Sequence, residues 1–244
     1  MKKITELLLA VLFCLSVFAV GCAPENGEGG TTTAAETTAE PAETTAAETT
    51  EESEETTAAV TDGKTFSLRI EGNNENIYYG DVEFEDGMNL KDALVAFDEA
   101  NDKITLTGAA DDYITAVNDE TAGKFGGWDG WCILLNGESP STGASGITLS
   151  GGDEVVLYYG DPWGVGMAYP KVSGEGGKLT FTTASGSVAG MKVILGGKEY
   201  TTDENGTVEG IEAGEYSLQI ELYAENGLVI ALRYAPNYKI TVTK

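Results

Sequence analysis

The sequence predicts a mainly β protein with one helix: a small α+β domain followed by an antiparallel β-sandwich. Three observations predict it. Apolar and polar residues alternate over short runs from Thr65 onward, the period of half-buried strands. One segment, opening at Asn89, carries helical spacing behind a capping residue. Ahead of both lies a long stretch with almost no core-forming side chains, so folding is expected to begin near residue 63.

Residues 1–21 are expected to be a signal peptide. Lys2 and Lys3 precede an almost wholly apolar run of 14 residues, Leu7 to Val20, short for a bilayer span. It ends at Ala19-Val20-Gly21-Cys22, with the small residues that signal cleavage needs. A cysteine directly after the small residue resembles a bacterial lipobox. The resemblance implies cleavage before Cys22, acylation of its thiol and a lipid anchor in the outer leaflet of the membrane. With Cys14 removed and Cys22 acylated, Cys132 stands alone and no intramolecular disulfide is expected. Between Trp131 and Ile133, it reads as a small buried hydrophobe.

Residues 23–62 hold 12 Thr, 10 Glu and 9 Ala, with no Lys, Arg or aromatic residue. Such a segment cannot bury enough apolar surface to fold. The expected organisation is therefore a lipidated cysteine and linker over 22–62, a first folded unit over 63–163 and a second over 172–244. A flexible linker of this length spans roughly 35 Å, and like-charge repulsion extends it further.

The first unit opens with a strand in which Phe66, Leu68 and Ile70 alternate with Thr65, Ser67 and Arg69. A polar turn at Gly72-Asn73-Asn74 leads to a second strand, Asn76 to Phe84, interrupted by Gly80. The helix follows. Asn89 caps it, Asp92 sits near the positive end of its dipole, and Leu90, Ala93, Leu94 and Phe97 mark one face until Asn101-Asp102. Short strands are expected at 104–107, 113–117, 131–136 and 154–159. Two strands, one helix and several more strands make a β-grasp-like α+β domain.

Certain motifs in this unit resemble a known family. Gly130-Trp131, then Asn136-Gly137, then Gly143-Ala144-Ser145, then Gly152-Asp153-Glu154-Val155 ahead of an aromatic strand look like the transcobalamin-like C-terminal domain. The helix Asn89-Leu90-Lys91-Asp92-Ala93-Leu94 fits the same pattern. The family includes the β-domain of vitamin B12 carriers and bacterial surface proteins of unknown function. The resemblance implies a corrinoid as ligand, with no cofactor required. In the carriers a separate helical domain covers the ligand, and nothing here resembles it.

The same motifs also read, from their residues alone, as a loop-built surface of aromatic residues and glycines. Phe125-Gly126-Gly127-Trp128-Asp129-Gly130-Trp131 sets two indoles among glycines, and Tyr158-Tyr159-Gly160-Asp161-Pro162-Trp163 leaves the last strand with three more aromatics. Together they suggest a stacking platform for a macrocycle, a sugar or a peptide. The candidate ligand-binding residues are Trp128, Asp129, Trp131, Tyr158 and Trp163. Alternation also allows Trp131 and Tyr159 to be core residues, which makes Trp128 and Trp163, outside the regular strands, the stronger candidates.

The second unit begins after a glycine-rich boundary, Lys171 to Gly177. Alternating sets follow at Leu179/Phe181, Met191/Val193/Leu195, Tyr216/Leu218/Ile220/Leu222, Leu228/Ile230/Leu232 and Tyr238/Ile240/Val242, which read as an antiparallel sandwich. Tyr200 to Thr207 followed by Ala213-Gly214-Glu215-Tyr216 resembles prealbumin-like repeats, including collagen-adhesin B-type domains. Asp203-x-Asn205-Gly206 has part of a calcium-loop spacing but lacks the later Glu, and its turn chemistry suffices without metal.

Composition bounds the function. With 14 Lys plus Arg against 40 Asp plus Glu, the net charge is −26, and histidine is absent. The folded part from residue 63 still carries 12 basic against 28 acidic side chains. Nucleic acid would be repelled by such a body. Without histidine there is no Ser-His or Cys-His pair and no imidazole ligand for cobalt or another metal. The expectation is a non-enzymatic extracytoplasmic lipoprotein that binds a small ligand, with adhesion to a surface protein or glycan as the alternative.

Overall fold

The computed structural model describes residues 64–185 and 188–244; the expected signal peptide, Cys22 and the linker lie outside the described residues. The described residues belong to one compact body; the part expected as its first unit contains β1 (Lys64–Glu71), β2 (Asn76–Phe84), α1 (Leu90–Ala100), β3 (Leu106–Thr107), β4 (Ala116–Val117), β5 (Glu120–Thr121), β6 (Gly130–Leu135) and β7 (Glu154–Gly160). Its main sheet runs β2-β1-β7-β6, with β1 and β7 parallel and the outer pairs antiparallel. β3, β4 and β5 form a separate small sheet, shorter than the runs expected at 104–107 and 113–117.

The helix forms as its sequence dictates. Asn89 Oδ1 accepts the Asp92 N–H at 2.9 Å, and Leu90, Ala93, Leu94 and Phe97 are buried. They pack on Phe66, Leu68 and Ile70 of β1 and on Val155, Leu157 and Tyr159 of β7. The Asp98 carboxylate accepts the Leu106 N–H at 2.7 Å, tying the helix to the segment that follows.

The second unit contains β8 (Lys171–Glu175), β9 (Lys178–Thr182), β10 (Lys192–Leu195), β11 (Lys198–Thr201), β12 (Thr207–Glu209), β13 (Gly214–Glu221) and β14 (Lys239–Val242). They form two sheets, β11-β10-β13-β14 and β12-β9-β8, with Leu179, Phe181, Met191, Val193, Leu218 and Ile220 in the core they share. The glycine-rich stretch at 171–177 is a hairpin here. Gly176 and Gly177 both take positive φ (61° and 70°), the geometry of a tight two-residue turn between β8 and β9. The Asp203 carboxylate accepts the Asn205 and Thr207 N–H groups at 2.9 and 2.7 Å, so this turn is closed by its own backbone.

One expected strand of the sandwich takes a different course. Instead of the alternating set Leu228/Ile230/Leu232, the buried residues are Leu228, Val229, Ala231 and Arg233. Leu228 enters the core of the first unit, and Val229 joins a third cluster with Leu134, Val156, Tyr158 and Met167. This segment therefore serves two neighbours, which a one-faced alternation cannot describe. The Val229 N–H donates to Asn73 Oδ1 at 2.7 Å, and Asn73 Nδ2 donates to Gly227 O at 3.0 Å.

The third cluster covers the face of the main sheet opposite the helix. Odd positions of β7 (Val155, Leu157, Tyr159) face the helix core, and even positions (Val156, Tyr158) face Met167, Val229 and their neighbours. Beside them Arg69 and Arg233 flank the buried carboxylate of Glu71, at 3.2 and 3.5 Å. Arg233 also donates to Gly72 O, Asn73 O and Tyr223 Oη at 2.9, 2.7 and 2.8 Å.

Candidate functional site

β6 and β7 pair from Leu135↔Val155 to Gly130↔Gly160, so the loop entering β6 and the loop leaving β7 emerge at the same end. Each is organised by one buried carboxylate. Asp129 accepts the Phe125 N–H on Oδ2 (3.1 Å), the Gly127 N–H on Oδ1 (3.0 Å) and the Tyr159 hydroxyl on Oδ2 (2.5 Å). Asp161 accepts the Gly164 and Val165 N–H groups at 2.7 and 3.3 Å, and its backbone oxygen accepts from Gly166 at 2.9 Å. The loops touch at Gly127, where a Cβ would stand 2.9 Å from Asp161 Oδ2. A side chain there would collide with the carboxylate that shapes the neighbouring loop.

On this frame Trp128 is 81 % exposed and Trp163 79 %, with Val165 also exposed. Both rings stand in water on loops whose backbones are held by these carboxylates, which makes them candidates for a contact surface. The Asp129 carboxyl is held below its usual range. Burial alone would raise it, but the Tyr159 hydroxyl and the backbone N–H groups of Phe125 and Gly127 outweigh that penalty. Burial, and then the bond to Asp129, push the Tyr159 hydroxyl up.

The other expected contacts lie inside. Asp129, Trp131 and Tyr158 are 4 %, 9 % and 1 % exposed. Asp129 is the loop anchor just described. Trp131 packs edge-on against Tyr159 with centroids 5.4 Å apart, and its Nε1 donates to Glu120 O at 3.0 Å. Tyr158 faces the second unit and exchanges a 2.7 Å hydrogen bond with the Tyr169 hydroxyl. The structure thus brings Trp128 and Trp163 to one end of the sheet and places the other three beneath or behind it. Sequence reasoning missed Asp161. Its signal was Asp-Pro-x-Gly, an acidic acceptor opening a turn whose N–H donors lie three and four residues on.

Cys132 packs beside Tyr158 and Leu134, and burial pushes its thiol up to about 11. In a chain starting at residue 22 and carrying Cys22→Ser, Ellman's reagent should react with Cys132 only as the protein unfolds. Full labelling within seconds under native conditions would show that the face between the units opens freely. Among the described residues no group of three His, Cys, Asp or Glu side chains is placed to hold a metal ion.

With that geometry in place, the chain can be set beside known proteins. Residues 87–161 match the model of a domain of unknown function, DUF4430. The match runs from just before α1 to Asp161, so it includes Trp128 and ends before Trp163. No curated protein matches. Among solved structures, haptocorrin in complex with Cbi is similar at 18 % identity and a TM-score of 0.33, covering 40 % of this chain and 25 % of that one. The chain thus spans a quarter of the haptocorrin chain's length.

Proposed function

We propose that this chain is a non-catalytic lipoprotein displayed outside the cell, which captures an extracellular ligand on the Trp128–Trp163 loop pair. The observation that carries the reading is the pair itself: two exposed indoles on adjoining loops, each loop fixed by a buried carboxylate. Burying roughly 150 Å² on each indole contributes about 7 kcal/mol before the association cost, which removes much of it. Preorganised loops keep that cost low, so micromolar affinity is the expected range. A corrinoid is the first ligand to test, because the sequence motifs around the first loop resemble the transcobalamin-like family. The absence of histidine restricts such binding to contact with the ring faces and edges. Val165, exposed beside Trp163, enlarges the apolar patch and supports the alternative of adhesion to a surface protein.

Titration of the full chain with cyanocobalamin, followed by calorimetry and indole fluorescence, should give saturable binding. Trp128→Ala with Trp163→Ala should abolish it while leaving the melting temperature in place, since neither ring packs in the core. Absence of heat and of quenching at high micromolar corrinoid would remove this ligand from consideration. Binding that survives the double substitution would sink the indole site.

A further inference from the structure

A polar groove of about 640 Å³ lies among three turns of the first unit: β1–β2, the exit from α1, and β4–β5. Neither Trp128 nor Trp163 lines it. Three of its amides share one arrangement. Asn74 Oδ1 accepts from Asn73 Nδ2 at 3.1 Å, Asn101 Oδ1 from the Lys103 N–H at 3.0 Å, and Asn118 Oδ1 from the Thr105 N–H at 2.9 Å. A backbone N–H can only donate, so the orientation of Asn101 and Asn118 is forced. Each oxygen is thereby committed, and the NH₂ groups of all three make no hydrogen bond with the described residues. Asn76 is the complement: its Nδ2 donates to Glu71 Oε1 at 3.1 Å, which leaves its oxygen as an acceptor. Half-buried Ile77 and Tyr78 add an apolar lining between these polar groups.

Oriented donors, an acceptor and an aromatic ring in one open groove match the surface of a sugar, where hydroxyls alternate with a C–H face. Charge narrows the class. The walls carry Glu75, Asp119 and Glu120 against Lys103 and Lys124, with Lys124 facing Glu120 at 3.9 Å, so they nearly balance, and the surrounding body is strongly acidic, which disfavours a ligand of net negative charge. We infer that this groove is a second binding site, separate from the indole loops, and that it takes a neutral saccharide.

The test uses Asn→Asp substitutions, which keep the oxygen that holds the backbone and delete the donor offered to the ligand. Asn118 has φ 49°, a conformation that Asp tolerates. The full chain is titrated calorimetrically with cellohexaose, chitohexaose and mannohexaose. At least one should bind saturably, and Asn101→Asp and Asn118→Asp should each weaken it about tenfold or more, the loss of a hydrogen bond to a polar ligand with an added charge. Trp128→Ala with Trp163→Ala should leave that affinity unchanged. In the wild-type chain the Nδ2 resonances of Asn101 and Asn118 should shift on adding the sugar, a readout that depends on no variant. No heat and no shift with any probe at millimolar concentration would overturn the inference. So would binding lost in the indole variant and retained in the Asn variants. Failure of the corrinoid reading leaves these outcomes untouched, because the two sites share no tested residue.

Discussion

Replacing Arg233 with alanine is expected to destabilise the folded chain by about 3–5 kcal/mol, the cost of breaking a buried ion pair from one side. Arg233 lies almost wholly out of water, donates to three acceptors, the two backbone oxygens of the β1–β2 turn and the Tyr223 hydroxyl, and faces the Glu71 carboxylate as an ion pair at 3.5 Å. Its own backbone oxygen accepts from Arg69, so the two guanidinium groups and Glu71 form one network. Among the described residues Glu71 Oε2 has no hydrogen-bond donor, and Arg233 is the cation that faces it. Removing that guanidinium leaves half of a buried carboxylate uncompensated. Urea unfolding should show the lower midpoint. Calorimetry should show the single transition broadening or dividing, because the network joins residues 69–73 to residues 223–233. A triple replacement, Arg69→Leu, Glu71→Leu and Arg233→Met, should recover much of the loss, since no charge is then stranded. An Arg233→Ala midpoint equal to wild type would mean that Arg69 alone satisfies Glu71.

Asp129→Ala should cost about 3 kcal/mol, because it strips charge-assisted hydrogen bonds from two backbone N–H groups and weakens the seat of Tyr159. The effect should be local. Hydrogen exchange at the Phe125 and Gly127 amides should accelerate strongly, Trp128 should gain mobility by fluorescence anisotropy, and protection in the β10–β13 pair should change little. Acid should produce the same release in the wild-type chain. A carboxyl whose folded pKa lies below its unfolded value contributes stability in full above the ordinary Asp pKa near 4, and loses it as pH falls through the folded value. Loop opening is therefore expected only below about pH 4. Asp129→Asn should remove that pH dependence. Loop mobility that is unchanged in Asp129→Ala would show that Asp161 and the β6–β7 pairing hold the loop without it.

Local patterns were legible wherever one neighbour decided a residue's fate. Asn89 and Asp92 announced the helix start, and Phe66, Leu68 and Ile70 announced the first strand, because capping and period-2 alternation are properties of a few adjacent residues. The site was half legible. Trp128 and Trp163 lie outside regular strands among glycine and proline, and they are exposed as expected. Tyr158 was misplaced because alternation assumes one buried face. The run Val155-Val156-Leu157-Tyr158-Tyr159 is apolar at every position, the mark of a strand covered on both sides. The set Leu228/Ile230/Leu232 fails as a simple alternation for the same reason, since Val229 and Arg233 are buried too and bond to Asn73 and Gly72, more than 150 positions earlier.

The sequence by itself determined the mainly β class with its one helix, the turn at Asn205-Gly206, and the exposed position of two indoles. Each follows from short-range preferences of backbone and side chain. Only the tertiary structure decided that both faces of the main sheet are covered. The second unit covers the face that carries Tyr158 and Cys132, and the helix covers the other. What stays exposed are the loop ends that carry Trp128 and Trp163 and the amide-lined groove. Burial on a second face depends on contacts between distant parts of the chain, and no local pattern encodes them.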